Sequence, residues 1–123
     1  MIFPFNCAWQ LVINSKNAPA PIGPYSQAIL SNGTLFVSGQ IALNPASGEL
    51  EIGDIVKETH LVMSNLKAIL NEAGMDFSNV VKSSIFVKDL GNFGVINQAY
   101  GEYFKSNPPA RETVEVSRLP KDV

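Results

Sequence analysis

The chain has 123 residues, of which 46% are hydrophobic, and its nine Lys and Arg against eleven Asp and Glu give a net charge of -2. This length predicts one domain, because a single core of ordinary size accounts for it. Acidic residues outnumber basic ones, and the sequence has no basic patch of the kind that binding to a phosphate backbone requires. Nucleic acid is therefore not an expected partner. One cysteine, Cys7, and one histidine, His60, exclude an intramolecular disulfide and the usual zinc ligand sets, which favours a reducing cytoplasmic location.

The first eleven residues, MIFPFNCAWQL, are apolar but contain no Lys or Arg. A secretory signal needs a positively charged start and an unbroken apolar run, whereas Pro4 and Asn6 interrupt this one. No later segment reaches the roughly 18 to 20 apolar residues of a membrane span. We therefore expect no membrane partner, with residues 1–11 as a leader and residues 12–123 as the domain.

The first half of the chain predicts three strands and a helix. Residues 11–14, 25–30 and 34–37 have strand patterns, and Asn32-Gly33 accepts the positive φ values of a tight hairpin turn. Residues 44–48 have loop composition. Asp54 is placed to cap a helix whose apolar positions follow a period of 3.6 residues, and Gly74 is placed to end it.

The second half predicts a strand, a helix and a final strand. Residues 80–87 are rich in β-branched residues, and Asn92 is a candidate N-cap. The helix after it carries an apolar stripe and is expected to end at Pro108 and Pro109. In the last strand, residues 111–116, Arg111 shares one face with Thr113 and Glu115. The element order predicts an α+β domain with both helices on one sheet face.

Most familiar catalytic groups are excluded by the residue counts. A Ser-His-Asp or Cys-His arrangement would need His60, yet this residue falls between the core-facing turns of the first predicted helix, where a solvated histidine is the expected role. The Ser38-Gly39-Gln40 segment is too short for a phosphate-binding loop. The remaining candidates are polar residues at strand ends and beside the proline corner.

Each of these candidates has an ordinary structural alternative. Arg111 follows a rigid Pro-Pro-Ala corner and is able to grip a carboxylate with two parallel donors, or to form a surface ion pair. Gly39 either permits close approach of a ligand or marks a strand bulge. Tyr25 is also explained as a packed ring, and Asn97 as a polar helix residue facing water.

Several motifs in this chain occur together in one known family. They are GPYSQ at residues 23–27, SGQ at 38–40, VVKSSIFVKDL at 80–90, N-x-x-Y at 97–100 and PPAR at 108–111. In this order and spacing the chain resembles the RidA/YjgF family of imine deaminases from about residue 12 to residue 123. The resemblance implies a RidA-like, chorismate-mutase-like α+β fold with two helices on one face of a sheet.

The resemblance also implies a function and a site. Such proteins hydrolyse 2-imino acids to 2-keto acids and ammonia, without a metal or cofactor, as homotrimers with sites between subunits. By this resemblance Arg111 holds the substrate carboxylate and Gly39 offers backbone contacts. Tyr25 and Ser38 line the pocket, and Asn97 adds a polar contact. An iminium carbon is already electrophilic, so positioning and one oriented water suffice.

The sequence departs from the family pattern in two places. Thr113 stands where the deaminating branch commonly has a cysteine, two residues after the arginine, and its hydroxyl is still able to hold a water. The sequence given ends at Val123, before the last strand and the water-activating glutamate that the resemblance leads us to expect. On these grounds we expect a domain truncated at its C-terminus, with impaired turnover.

Three functions remain open from the sequence. The first is an imine deaminase with Arg111 and Thr113 as catalytic residues. The second is a non-catalytic module that binds small carboxylates through the same arginine. The third is the ribonuclease activity of some relatives, which the acidic charge and the single histidine disfavour. Fold alone does not decide between them.

Overall fold

The computed structural model describes residues 9–123, so Cys7, Pro4 and Asn6 of the predicted leader lie outside the described residues. It contains five strands and two α-helices, with short 3-10 turns between them. The strands are β1 (Gln10–Ile13), β2 (Ala28–Ser31), β3 (Thr34–Val37), β4 (Lys82–Val87) and β5 (Ala110–Glu115), and the helices are α1 (Ile55–Glu72) and α2 (Phe93–Gly101).

The first three strands form an antiparallel sheet in the order β1-β2-β3. The hairpin between β2 and β3 turns at Asn32 and Gly33, whose φ values of 49° and 76° confirm the predicted turn. Leu11, assigned to the leader from sequence, pairs with Leu30 and therefore belongs to this sheet. The second strand begins later than predicted, so residues 25–27 are a loop leading into it.

Both ends of α1 follow the local signals in the sequence. Asp54 Oδ1 accepts hydrogen bonds from the backbone N–H groups of Val56 and Lys57, which satisfies two unpaired donors of the first turn. Gly74 has φ 72°, and the N–H of Met75 donates to the carbonyl of Leu70. This is a Schellman ending, which requires the left-handed conformation that glycine accepts readily.

The main core lies between α1 and the first sheet. Ile69 is fully buried and packs in one cluster with Ile13 and Ala28 from the inner face of that sheet. The alternation of side chains along each strand sends Ile13 and Ala28 to one face, which explains why α1 covers only this side. The helix and sheet therefore bury each other's apolar surfaces.

The second sheet is a parallel pair, β4 and β5, and α2 packs against one face of it. Asn92 occupies the N-cap position of α2, as predicted, but its side chain makes no capping hydrogen bond. Asp89 instead caps the 3-10 turn that leads into the helix, through the N–H of Gly91. Because that turn already supplies partners, the helix begins without a capping bond from the Asn92 side chain.

The helix α2 also ends earlier than predicted. Its last residue is Gly101, seven residues before Pro108, so proline is not what ends it. The N–H groups of Tyr103 and Phe104 bond to carbonyls three residues back rather than four, which tightens the chain into a 3-10 turn. Tyr100 and Phe104 then stack with ring centroids 4.7 Å apart, which holds this turn in place.

The α+β class is confirmed, and the strands divide between two sheets where one was expected. Within residues 9–123 no ladder joins the three-stranded sheet to the β4-β5 pair. None of the helices in this part of the chain is long and apolar enough to cross a membrane.

One buried amide connects the loop before β2 to the end of β1. Gln27 is 2% exposed, and its Oε1 accepts a hydrogen bond of 2.6 Å from the N–H of Ser15. Its Nε2 lies within hydrogen-bond distance of the carbonyls of Ser15, Ala18 and Pro19. These carbonyls belong to a proline-rich loop that has no ladder partners, so the amide replaces the missing backbone partners.

We predict that Gln27→Met lowers the free energy of unfolding by about 2 kcal/mol or more, because it leaves several buried backbone groups without partners. Urea unfolding at fixed protein concentration measures this loss. Gln10→Met, at an exposed position of β1, is the matched control and is expected to change stability by less than about 0.5 kcal/mol. Equal stabilities of the two variants would contradict the assigned role of Gln27.

Candidate functional site

Ser38 follows β3 directly and is held against the loop before β2. Its backbone N–H donates to the carbonyl of Gln27 at 2.9 Å, and its Oγ donates to the carbonyl of Ser26 at 2.6 Å. Both bonds are partly shielded from water, so they fix the serine and the loop relative to each other. The Ser38 hydroxyl is therefore already used as a donor, which leaves its lone pairs available to accept a hydrogen bond from a ligand.

Tyr25 lies in the same loop and is half exposed. Its Oη accepts a hydrogen bond from the N–H of Ile22 at 3.2 Å, and its ring lies against Gly23, where an added Cβ would come within 3.4 Å of Cε1. The ring is thus oriented without being buried, which excludes the alternative of a fully packed core tyrosine. Its exposed face is available for contact.

Gly39 lies beyond the end of β3, so it is neither inside a strand nor a bulge. Its φ is outside the left-handed region, and a Cβ at this position would meet no atom within 4 Å. No contact within residues 9–123 therefore requires glycine here. This open space is consistent with the close approach of a ligand or of another chain to the backbone. A shallow cleft of about 240 Å³ opens beside it, lined by Ser26, Ala28, Ile29, Phe36, Val37 and Ser38.

Arg111 lies on β5, on the face of the second sheet that α2 covers. Its guanidinium carbon is 5.0 Å from the centre of the Tyr100 ring and 5.6 Å from that of Phe93. Among the described residues no Asp or Glu lies within ion-pair distance of Arg111. The surface ion pair is therefore not what the structure shows, and the N–H groups keep the capacity to bind an anion.

Asn97 is brought to the same side of α2 by helix geometry. It lies four residues after Phe93 and three before Tyr100, and residues with these spacings share one helix face. Because both rings contact Arg111, this face is the one turned towards the arginine. Asn97 is exposed on this face, and its contact with a ligand held by Arg111 stays a prediction.

Thr113 lies two residues after Arg111 on the same face of β5. Its Oγ1 is shielded from solvent and has no hydrogen-bond partner among the described residues. A buried hydroxyl in this state costs about 1–3 kcal/mol, which a bound water or ligand would recover. Glu115 follows on that face, but its Oε2 accepts a hydrogen bond from the N–H of Leu90 at 2.8 Å, which ties it to the turn before α2.

The predicted site residues thus form two groups. Tyr25, Ser38 and Gly39 lie at one end of the first sheet. Arg111 and Thr113 lie on the face of the second sheet that α2 covers, and Asn97 is exposed on α2. No hydrogen bond or ion pair within residues 9–123 joins one group to the other. The structure of one chain therefore positions each group separately.

His60 differs from the solvated histidine expected from sequence. It is half-buried, and its Nδ1 lies 2.8 Å from the Tyr103 hydroxyl, while its Nε2 is 3.8 Å from Glu102. Burial raises the pKa of Tyr103, as does the nearby Glu102 carboxylate. These contacts join α1 to the turn after α2, so the histidine has a packing role and is committed to a tyrosine rather than to a nucleophile.

The sequence analysis missed the aromatic contacts of Arg111 and the role of Ser83. The Ser83 hydroxyl lies 2.7 Å from the Tyr100 hydroxyl, and Ser83 pairs directly with Arg111 in the sheet register. In the sequence Phe93 and Tyr100 are only two members of an apolar stripe. Their spacing of seven residues, which places them two turns apart on one face, is the signal that was available.

Comparison with known proteins places the chain in a family. The family model described as Endoribonuclease L-PSP matches residues 15–123. A RutC family protein of Pyrococcus horikoshii is 51% identical over 91% of this chain and 89% of its own length. The human 2-iminobutanoate/2-iminopropanoate deaminase is 46% identical over 89% of this chain and 80% of its own length.

A solved structure agrees with these matches. The Rid family protein YyfA of Yersinia pestis, described as of unknown function, has a TM-score of 0.91 at 49% identity, covering 93% of this chain and 91% of its own. Sequence and fold thus agree over nearly the whole described chain. The protein therefore belongs to the RidA/YjgF family, whose sequence model is described as Endoribonuclease L-PSP.

Proposed function

We propose that this protein is a cytoplasmic deaminase that hydrolyses small 2-imino acids to 2-keto acids and ammonia. The observation that carries the proposal is Arg111, a guanidinium held between two rings with no carboxylate partner among the described residues. An unpaired, oriented guanidinium is suited to a carboxylate, because its parallel donors match the two carboxylate oxygens. The name of the human relative, identical at 46% of aligned positions, points to the same substrate class.

The proposed reaction needs little from the protein beyond orientation. The substrate carboxylate binds Arg111, and water adds to the protonated C=N carbon to give a tetrahedral carbinolamine. The added water loses a proton, the amino nitrogen takes up a proton, and the C–N bond breaks to release ammonia. The hydroxyl then gives its proton to the ammonia, which leaves the keto acid and an ammonium ion. The unsatisfied Thr113 hydroxyl is suited to hold the attacking water, and no cofactor enters this scheme.

We further propose that the active unit is a homotrimer in which the two groups of site residues come from neighbouring subunits. Their separation within one chain supports this arrangement. The outer sheet faces support it as well, because Val12 and Phe36 on the first sheet, and Phe86 with its partner Val114 on the second, are exposed apolar side chains. Such surface is typical of a face covered by another subunit.

Three assays distinguish the deaminase from two other activities. A coupled assay supplies a freshly generated 2-imino acid and follows keto-acid release. A binding module would show thermal stabilisation by 2-oxobutanoate without faster release. A ribonuclease would cleave RNA after contaminating nucleases are removed, and the net charge of -2 argues against this outcome.

We predict that Arg111→Lys weakens 2-oxobutanoate binding almost as much as Arg111→Ala, by roughly 10- to 100-fold, because one ammonium does not reproduce two parallel donors. Isothermal titration calorimetry gives the dissociation constants. Arg118→Lys is the control, since Arg118 is exposed and bonded to Asp122. Unchanged affinity and turnover in Arg111→Lys would remove this residue from the site.

We predict that Thr113→Val leaves the melting temperature unchanged or higher, because it deletes a buried hydroxyl that has no partner. Turnover is expected to fall roughly tenfold, the effect of one lost hydrogen bond of about 1.4 kcal/mol to the attacking water. Calorimetry and the coupled assay measure the two quantities. Thr34→Val, on the outer face of β3, is the matched control, and full turnover by Thr113→Val would exclude Thr113 from catalysis.

We predict that light scattering gives about three times the chain mass of 13.3 kDa. Phe36→Lys places a charge on the outer face of the first sheet, so it is expected to give monomers that do not turn over the imine. Ile52→Lys, at an exposed loop position, is expected to stay trimeric. A monomer with full turnover would refute a site shared between subunits.

A further inference from the structure

The Arg111 guanidinium has two aromatic contacts that carboxylate binding by itself does not require. The cation lies near the centres of two rings that belong to one helix, Phe93 in its first turn and Tyr100 in its last. Seven residues of helix rise by about 10.5 Å, and the guanidinium carbon lies 5.6 Å from the centre of the Phe93 ring and 5.0 Å from that of the Tyr100 ring. The helix therefore acts as a fixed spacer for the pair of rings.

Tyr100 is itself held by a second contact with the sheet. Tyr100 is only 8% exposed, and its hydroxyl lies 2.7 Å from that of Ser83 on β4. Ser83 pairs directly with Arg111 in the parallel β4-β5 ladder. The serine that bonds to the Tyr100 hydroxyl and the arginine that contacts the Tyr100 ring are therefore neighbours in the sheet. A displacement of α2 would disturb all three side chains together.

We propose that Phe93 and Tyr100, the second fixed by Ser83, are positioning residues for the carboxylate-binding arginine. A cation is attracted to the face of an aromatic ring, and such contacts leave the in-plane N–H groups of the guanidinium free. The rings therefore limit the orientations of Arg111 without using its donors. An ion pair would do the opposite, because an Asp or Glu would compete with the substrate for those donors.

Confinement by rings has a direct consequence for affinity. A long arginine side chain loses rotamer freedom when it binds a ligand, and a side chain that is already confined loses less. Loss of either ring is expected to weaken carboxylate binding, and to do so only by its effect on Arg111. The inference rests on the proposed carboxylate site, and it adds the residues that prepare it.

Three ring variants test this positioning role. Phe93→Leu and Tyr100→Leu remove a ring, and Phe77→Leu is the control because its ring contacts Tyr103 and Phe104 rather than Arg111. We expect the dissociation constant for 2-oxobutanoate to rise about 3- to 30-fold in the first two variants. The dissociation constant should stay within about twofold of the wild-type value in the control. Phe93→Tyr keeps a ring, so it should keep the wild-type dissociation constant.

A double-mutant cycle separates positioning from simple loss of packing. In an Arg111→Lys background, Tyr100→Leu should no longer weaken binding, because the planar cation on which the ring acts is gone. The hydroxyl pair gives a second cycle, in which Ser83→Ala, Tyr100→Phe and the double variant should weaken binding equally, by about two- to fivefold. Melting temperatures recorded without ligand identify any variant that is merely destabilised.

The outcomes distinguish this inference from the proposed function. If the wild-type protein binds 2-oxobutanoate and the ring variants bind it equally well, the positioning role is overturned and the carboxylate site stands. If Tyr100→Leu weakens binding by the same factor with and without Arg111, the ring acts on the ligand by another route and the inference is again wrong. If the wild-type protein does not bind the keto acid, both ideas fail.

Discussion

The buried amide of Gln27 is the interaction on which the first half of the site depends. The loop after β1 contains three prolines and makes no ladder, and the Gln27 amide lies within hydrogen-bond distance of three of its carbonyls. The backbone of the same glutamine accepts the N–H of Ser38, so one residue holds both segments that carry the candidate residues. Together with the bond from Ser38 Oγ to the Ser26 carbonyl, it fixes Ser38 relative to the loop that carries Tyr25.

Asn65 of α1 plays a similar part for the segment after Gly39. It is 1% exposed, and its Nδ2 donates to the carbonyls of Ile41 and Leu43 in the segment after Gly39. A polar residue in the buried face of a helix is tolerated here because its donors are satisfied. The rigid helix thereby fixes the chain that leaves the site, while Asn44 closes the following turn through its own side chain.

The second half of the site is organised differently. Here the supporting contacts are aromatic, and the cation at the centre keeps its hydrogen-bond donors for a ligand. The two halves are thus stable for different reasons, one through saturated hydrogen bonds and the other through ring packing. Each belongs to a separate sheet, and this separation is the reason for proposing that neighbouring subunits complete the pocket.

The sequence by itself determined the features that depend on a few neighbouring residues. The Asn32-Gly33 turn, the Asp54 cap, the Gly74 ending and the alternation that puts Thr113 on the Arg111 face follow from local backbone preferences. The motifs were equally sufficient for the family, because they occur in order along the chain. The site residues of the sequence analysis came from this resemblance rather than from local physics.

Only the tertiary structure decided how these elements meet. It divided the strands between two sheets, placed His60 against Tyr103 and enclosed Arg111 between two rings. The Asn92 side chain makes no capping bond because a turn begun by Asp89 already leads into α2. The outcome at Asn92 is local, since Asp89 is only three residues away. The other outcomes depend on contacts between residues distant in the chain, and such contacts are selected by the packing of the whole fold.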